Sequence, residues 1–186
     1  MAAKRQTTDP SIFPLAASVV VLDQVTKYLI WKFFTIREVI SVIPGLFNLR
    51  YIRNEGAAFG MFAGHRWPLI VISIAMLWLL RKSRHEALRH GRSGWLALGL
   101  LTGGIIGNLL DRMRLGYVID FLDFFLYQHH FPAFNVADSA ICLGVAFYFW
   151  CVLRDNRLIP PSPASGDAAE PLTDGLSEAA DPRNTP

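Results

Sequence analysis

Long blocks of apolar residues are the feature that most restricts what this chain can fold into. The blocks cover residues 12–34, 67–80, 95–110 and 134–153. When helical, a block of about 20 apolar residues matches the thickness of a bilayer's hydrocarbon core. Charged residues make up only 18% of the chain, whereas soluble domains contain roughly a quarter. The sequence therefore predicts a mainly α membrane protein, a bundle of four transmembrane helices.

The segments between the predicted spans differ in character. Residues 35–64 contain short runs of β-branched and aromatic residues around Pro44 and Gly45, which favour a small β-sheet on the outer face. Residues 113–133 are rich in aromatic residues and are interpreted as an outer loop between helices 3 and 4, with a possible role as a mobile lid. The predicted domains are an N-terminal segment 1–11, a four-helix domain 12–154 and a disordered acidic tail 155–186.

Basic residues in the short connections predict the orientation of the bundle. The connection between the second and third spans carries Arg81, Lys82, Arg84, Arg89 and Arg92. Clusters of Lys and Arg in short loops mark the cytoplasmic side. An even number of spans then places both termini in the cytoplasm, and the predicted sheet and aromatic loop share the opposite, outer face.

Charge and cysteine usage exclude several classes of function. The positive charge is scattered among the membrane flanks rather than gathered in one basic stripe, so nucleic acid is not expected as a partner. Cys142 and Cys151 lie too far apart along one helix to form a disulfide, and we expect both to be buried free thiols. Because no cluster of His and Cys has ligand spacing, neither a metal nor a cofactor is predicted.

Two carboxylates at the predicted outer edge of the bundle mark the candidate site. Asp120 follows the third span in the segment VIDF, and Asp138 begins the fourth span in FNVADS. Ionisable residues at this depth are costly and are usually functional. Because two close carboxylates share a proton, one can act as a general base for water and the other as a general acid. Asp123 remains an alternative to Asp120, since spacing alone does not separate them.

Other polar residues fall on the same side of the predicted bundle. Gly104, Asn108 and Arg112 repeat every four residues and so share a helical stripe. Asn108 can hold an aspartate or donate to a substrate carbonyl. Arg112 suits a carboxylate or an anionic head group, or alternatively pairs with Asp111 or Asp123, or anchors at the interface. His129 and His130 are expected at a surface or interface, since neither completes a catalytic triad.

Two further patterns concern helix packing. Asp23 and Lys27 lie four residues apart in the first span, which predicts an ion pair on one helical face. This pair either pins the helix to the bundle or acts near the active site. Gly99, Gly103 and Gly107 in the third span repeat every four residues, the pattern that lets helices pack closely.

Five ordered segments also resemble the motifs of lipoprotein signal peptidase, or signal peptidase II. They are Asp23–Lys27, Asn54–Gly60, Gly104–Arg112, Val118–Phe121 and Phe134–Ser139. The resemblance implies a bacterial inner-membrane aspartic endopeptidase that removes signal peptides from diacylglyceryl-modified prolipoproteins, cutting before the lipidated cysteine. It implies catalytic roles for Asp120 and Asp138. The positions that it implies line, brace or support the pocket are Asn54, Gly56, Gly104, Asn108, Arg112, Asn135, Ala137, Asp23 and Lys27.

Two other classes of function are compatible with intramembrane carboxylates. In a small transporter or proton-conducting subunit, Asp23, Asp120 and Asp138 would relay protons and would be spread along the membrane depth. Here two of them are predicted at one edge. In a non-catalytic assembly or lipid-binding protein, Asp→Asn substitutions at either position would be tolerated. The peptidase is the leading hypothesis, with membrane lipid and lipidated precursors as partners and a monomer as the functional unit.

Overall fold

A computed structural model describes residues 11–56, 61 and 64–154. In chain order the elements are α1 (Phe13–Phe33), β1 (Val39–Ile43), β2 (Phe47–Asn54), α2 (Arg66–Lys82), α3 (Arg84–Leu88), α4 (Arg92–Arg114), β3 (Val118–Leu126), β4 (His129–His130) and α5 (Val136–Arg154). The predicted N-terminal segment, most of the glycine-rich stretch after Gly56 and the acidic tail lie outside the described residues.

Three of the described helices, α1, α4 and α5, are long and apolar enough to cross a membrane. The second predicted span, residues 67–80, corresponds to α2, which has 17 residues and lies at the lower limit of spanning length. The mainly helical, multi-pass class is therefore confirmed, and the exact number of spans is not. The basic connection is shorter than predicted, because α3 and the first turn of α4 form within it.

Helix α4 is the centre of the bundle, and its glycines allow this. A Cβ at Gly103 would lie 2.7 Å from the carbonyl oxygen of Ala16 on α1. A Cβ at Gly104 would lie 2.5 Å from the carbonyl oxygen of Ala137 on α5. Gly99 and Gly107 also face α1, so the predicted glycine seam is confirmed. Because these contacts involve backbone atoms, the seam fixes the distances of α1 and α5 from α4.

A four-stranded antiparallel sheet with the order β1-β2-β3-β4 is attached to one end of the bundle. The interpretation of residues 113–133 as a loop is wrong for more than half of its length, because α4 extends to Arg114, residues 118–126 form β3, an inner strand of this sheet, and residues 129–130 form β4. Val118, Ile119 and Phe121 are buried, whereas Phe124 and Leu126 in the second half of β3 are exposed. Leu122 additionally pairs with Phe134, just before α5.

A small apolar core joins the sheet to the helices. It consists of Ile30 near the end of α1, Tyr51 on β2, and Ile119 and Phe121 on β3. Each of these side chains is at most 6% exposed. Since Ile119 and Phe121 flank Asp120, burying them fixes the backbone of Asp120 at the junction of sheet and bundle.

Candidate active site

A cavity of about 820 Å³ lies between the sheet and helices α4 and α5. Its wall is apolar on one side, where Phe131, Phe134 and Ile141 contribute. The predicted site residues in its wall are Asn54, Gly56, Asn108, Arg112, Asp120 and Asp138. The structure thus places both candidate carboxylates in one cavity of a size typical for ligand sites.

Asp138 is positioned by the start of α5. Asn135 precedes the first helical residue, and its side-chain oxygen accepts a hydrogen bond from the backbone N–H of Asp138 at 2.9 Å. In return, Asp138 Oδ2 accepts one from the backbone N–H of Asn135 at 3.2 Å. These reciprocal bonds form a capping box. The carboxylate therefore lies at the positive end of the helix dipole, which stabilises negative charge.

Asp120 is held by two neutral amides. Asn54 Nδ2 donates to its Oδ2 at 2.8 Å, and Asn135 Nδ2 donates to its Oδ1 at 2.7 Å. The side chain is only 2% exposed. Burial and the nearby negative charge of Asp138 raise the pKa of Asp120 from 3.8 to about 7, against the opposing effect of the two amides and Lys27. Asp120 thus holds a proton near neutral pH.

Two asparagines connect the carboxylates to each other. Asn135 bonds to Asp120 through its side chain and to Asp138 through its backbone. Asn108 Nδ2 donates to Asp138 Oδ1 at 2.8 Å. The Asn108 oxygen also accepts a bond from Asn135 Nδ2 at 3.3 Å. Strand β3, helix α4 and helix α5 are therefore joined by a single hydrogen-bond network around the two carboxylates.

Arg112 is held by backbone carbonyls. Its guanidinium donates to the Gly56 oxygen at 3.2 Å and to the Asn108 oxygen at 3.4 Å. Among the described residues, no ion pair joins it to Asp111 or Asp123, so that alternative is wrong. Its Nε is buried in the cavity wall without a hydrogen-bond partner in the described part of the chain. The two carbonyl groups thus fix the orientation of the Arg112 guanidinium in the cavity wall.

A buried ion cluster lies behind the cavity, inside the bundle. Lys27 Nζ contacts Asp23 Oδ2 at 2.8 Å, as predicted, and also Asp111 Oδ2 at 2.9 Å. Asp23 Oδ1 accepts a hydrogen bond from the backbone N–H of Ala137 at 2.9 Å, which ties α1 to the first turn of α5. Asp23, Lys27 and Ala137 therefore brace the site from outside the cavity.

Asp111 was not predicted as a site residue. It was considered only as a possible partner for Arg112, although it belongs to the segment that carries the family resemblance. The signal that could have found it is its position three residues after Asn108, which places both on one face of α4. A lone Lys in an apolar helix also attracts every carboxylate that the fold brings near it.

Asp123, the alternative to Asp120, lies outside the cavity wall and has different partners. Its carboxylate contacts Arg50 Nη1 at 3.4 Å, Asn48 Nδ2 at 3.3 Å and His130 Nδ1 at 2.8 Å. Burial alone would raise the pKa of Asp123, but the hydrogen bonds of His130 and Asn48 and the charge of Arg50 lower it overall. His130 is exposed, as expected, and stacks on Phe125.

Three further predicted residues lie on α5 or against it. Gly104 does not line the cavity but packs against Ala137, where it sets the approach of α5 to α4. Cys151 is buried as predicted, whereas Cys142 is exposed and lines the cavity. The prediction for Cys142 was wrong because the residue lies four positions after Asp138, on the same face of α5. Among the described residues, no group of three or more His, Cys, Asp or Glu side chains is arranged to hold a metal ion.

Comparison with known proteins places this arrangement among membrane peptidases. Residues 15–154 match the family model described as signal peptidase (SPase) II. A lipoprotein signal peptidase of Syntrophotalea carbinolica is 44% identical over 149 residues, covering 76% of this chain and 90% of the relative. One from Geobacter metallireducens is 43% identical over 154 residues, covering 78% and 93%. A solved structure described as a bacterial membrane enzyme superimposes with a TM-score of 0.74 at 33% identity, covering 81% of this chain and 92% of that one.

Proposed function

The chain belongs to the signal peptidase II family and cleaves signal peptides from lipoproteins; from this premise we propose that it is an aspartic endopeptidase whose catalytic pair is Asp120 and Asp138. The observation that supports the proposal is the hydrogen bonding of both carboxylates to Asn135 in the wall of one cavity. Two interacting carboxylates that share one proton provide a general base and a general acid at the same pH.

The surroundings of the two carboxylates assign the roles. Asp138 lies at the positive end of α5 and accepts a hydrogen bond from Asn108, and we assign to it the general base that removes a proton from the attacking water. Asp120, whose pKa is raised to about 7, carries the proton and donates it to the oxygen of the scissile carbonyl. Collapse of the tetrahedral intermediate breaks the C–N bond, moves a proton from Asp138 to the leaving amine and returns a hydroxyl proton of the intermediate to Asp120, which restores both carboxyl groups.

The remaining cavity residues orient the substrate in this proposal. The guanidinium of Arg112, held by the carbonyls of Gly56 and Asn108, presents its positive charge to a peptide carbonyl or an anionic group of the substrate. Asn54, Gly56, Asn108 and Asn135 hold the carboxylates and the arginine in place. Gly104, Ala137, Asp23 and Lys27 support the cavity through helix packing.

The apolar wall fits the substrate that the family implies. A diacylglyceryl-modified prolipoprotein carries acyl chains next to its scissile bond, and it is cut before the lipidated cysteine. Phe131, Phe134 and Ile141 offer these chains an apolar surface beside the carboxylates. The lid hypothesis is now confined to the turn after β3, around Tyr127, which is 86% exposed.

The proposed location is the bacterial inner membrane. We propose that α2 also crosses the membrane, as the second of four spans in chain order. Its flanking residues Arg66, Arg81 and Lys82 would reach the interfaces. The basic connection then lies in the cytoplasm together with both termini, and the cavity faces the periplasm. The enzyme acts as a monomer in this proposal, since all proposed site residues come from one chain.

The decisive experiment measures cleavage of a synthetic diacylglyceryl-modified prolipopeptide by purified protein in detergent. We expect Asp120→Asn and Asp138→Asn each to lower kcat by about 10³-fold or more, while Asp123→Asn, the matched control on β3, retains activity. Circular dichroism confirms that each variant is folded. A folded Asp120→Asn or Asp138→Asn variant with more than a tenth of the normal kcat would refute the aspartic mechanism.

A further inference from the structure

Asp111 makes two contacts beyond its ion pair with Lys27. It is 2% exposed on α4 and lies outside the cavity wall. Its Oδ2 contacts Lys27 Nζ at 2.9 Å and accepts a hydrogen bond from the backbone N–H of Ile119 at 3.4 Å. Its Oδ1 accepts one from Gln24 Nε2 at 2.9 Å. The Asp111 carboxylate therefore contacts two side chains of α1, Lys27 and Gln24, and one backbone N–H of β3, that of Ile119.

The charge of the buried cluster argues that Asp111 does more than neutralise Lys27. Asp23 already pairs with Lys27 at 2.8 Å. One carboxylate is enough to neutralise one ammonium group, so a residue present only for neutrality would not be needed here. The position of its oxygens, rather than its charge, is the property that the rest of the site uses.

Lys27 links the Asp111 carboxylate to the side chain of Asn108. An ammonium group has three donors and no acceptor, and the contacts of Lys27 Nζ are Asp23, Asp111 and the Asn108 Oδ1, the last at 2.9 Å. The oxygen of the Asn108 amide must therefore face Lys27. Its nitrogen then faces Asp138 and donates to Oδ1 at 2.8 Å. Because Asp111 holds Lys27 on the side of α4, it fixes which end of this amide meets the proposed base.

The contact with Ile119 reaches the other carboxylate. Ile119 directly precedes Asp120 on β3, and its N–H points to Asp111. One side chain on α4 thus fixes both the amide that binds Asp138 and the backbone that carries Asp120.

We propose that Asp111 is a positioning residue for the peptidase reaction. It holds Lys27 against Asn108, and it also binds the backbone next to Asp120, so it fixes the positions of the two carboxylates of the pair relative to each other. The inference rests on the proposed function, because it presupposes that Asp120 and Asp138 are the reacting groups. Asp111 touches neither the substrate nor the water, so its loss lowers kcat and leaves KM nearly unchanged.

The first test compares Asp111→Asn with Asp123→Asn, a matched pair of buried carboxylates that each contact a cation. Both variants are expected to lose thermal stability. With the lipidated prolipopeptide, Asp111→Asn is expected to lower kcat 10- to 100-fold with KM changed less than threefold, while Asp123→Asn keeps kcat within twofold. A folded Asp111→Asn variant whose kcat is also within twofold of the unmodified enzyme overturns the proposal.

A double-substitution cycle separates positioning from general weakening of the fold. If Asp111 acts mainly through Asn108, the loss of kcat caused by Asp111→Asn becomes at least threefold smaller in an Asn108→Ala background. Equal losses in both backgrounds contradict the proposal. Should Asp111→Asn fail to fold, Gln24→Leu removes one hydrogen bond to Asp111 and keeps its charge. We then expect kcat to fall three- to tenfold, and an unchanged kcat overturns the inference.

The outcome is distinguishable from a failure of the proposed function. If Asp120→Asn and Asp138→Asn are inactive while Asp111→Asn is fully active, only the positioning role is refuted. If Asp120→Asn stays active, the catalytic pair itself is refuted, and this inference falls with it.

Discussion

Strand β3 carries two buried aspartates in contrasting surroundings. Asp120, at the cavity, accepts hydrogen bonds from the neutral amides of Asn54 and Asn135. Asp123, three positions later, contacts the guanidinium of Arg50 and the imidazole of His130. The pKa of Asp120 is raised to about 7 and that of Asp123 is lowered. Both side chains are almost inaccessible to solvent, but Asp120 lies near the negative charge of Asp138 whereas Asp123 contacts Arg50 and His130, so the neighbouring groups decide which carboxyl keeps a proton.

In the proposed mechanism, this contrast lets one strand serve both catalysis and stability. A carboxylate paired with a cation is ionised at neutral pH, and it then contributes to folding rather than to proton transfer. A carboxyl group whose hydrogen-bond donors are neutral amides is held in place, but no adjacent cation favours its ionised form. The cost is lower stability near neutral pH, which the rest of the fold must offset.

Combining substitutions gives the largest expected effect. Because Asp120 and Asp138 act as a unit, the double variant Asp120→Asn/Asp138→Asn should lose no more activity than either single variant, about 10³-fold or more. Adding Asp123→Asn to Asp120→Asn should change kcat less than twofold. Rates of prolipopeptide cleavage measure both. If the loss of activity in the double variant equals the product of the two single losses, the two carboxylates work independently, contrary to the proposal.

The pH dependence of the unmodified enzyme gives the next largest effect. Below about pH 7 Asp120 holds its proton, and above this value it loses it, so kcat/KM should fall about tenfold per pH unit on the alkaline side. The raised pKa also means that the folded state binds more protons than the unfolded state between about pH 4 and 7, so Asp120 lowers the free energy of unfolding as the pH rises through this range. A kcat/KM that stays level up to pH 9 would contradict the proton assignment.

Removing one of the two side-chain amides that donate hydrogen bonds to Asp120 should have a smaller effect. In Asn54→Ala, the ionised form of Asp120 loses a hydrogen bond, so its pKa rises and the alkaline limb of kcat/KM moves to higher pH, by about half a unit to one unit. We expect kcat at pH 6 to fall about tenfold, since one support of the carboxyl is gone. As a control, Asn48→Ala removes the equivalent amide from Asp123 and should leave the limb in place. A limb that moves to lower pH would reverse the assigned role of Asn54.

The smallest effect is expected at the other end of the strand. Arg50→Met removes the cation from Asp123 and should raise the pKa of that carboxyl. The loss of one charged hydrogen bond should lower the free energy of unfolding by about 1–2 kcal/mol. Activity measured well below the melting temperature should remain within twofold. Thermal unfolding at pH 7 and cleavage assays on the same preparation test both statements, and a tenfold loss of activity would mean that this cluster takes part in catalysis.

The helices could be predicted because the membrane imposes a simple length requirement. The apolar blocks located α1, α4 and α5 to within a few residues. Strand β3 was missed because apolar residues and one aspartate fall on each face of Val118–Leu126, so polar and apolar residues do not alternate. An aromatic run without alternation resembles a loop at an interface, and its pairing with β2 depends on a register that is set far away in the chain.

The candidate site was predictable to different extents. The spacing of Asn135 and Asp138 is that of a capping box, so the place of Asp138 at a helix start can be read from the sequence. The choice between Asp120 and Asp123 could not be made from spacing, because their partners Asn54 and Arg50 lie on another strand. Asp111 was overlooked for the same reason, since its partner Lys27 belongs to the first helix.

In the proposed mechanism, Asn135 and Asp138 also determine when the enzyme first becomes able to cut. They lie at the start of α5, the last of the described elements in chain order, whereas Asp120 is translated earlier and relies on Asn135 for one of its two amides. A nascent chain that has been synthesised only as far as β3 contains Asp120 and the amide of Asn54 but neither Asn135 nor Asp138. The proposed catalytic pair is therefore complete only after α5 has been synthesised.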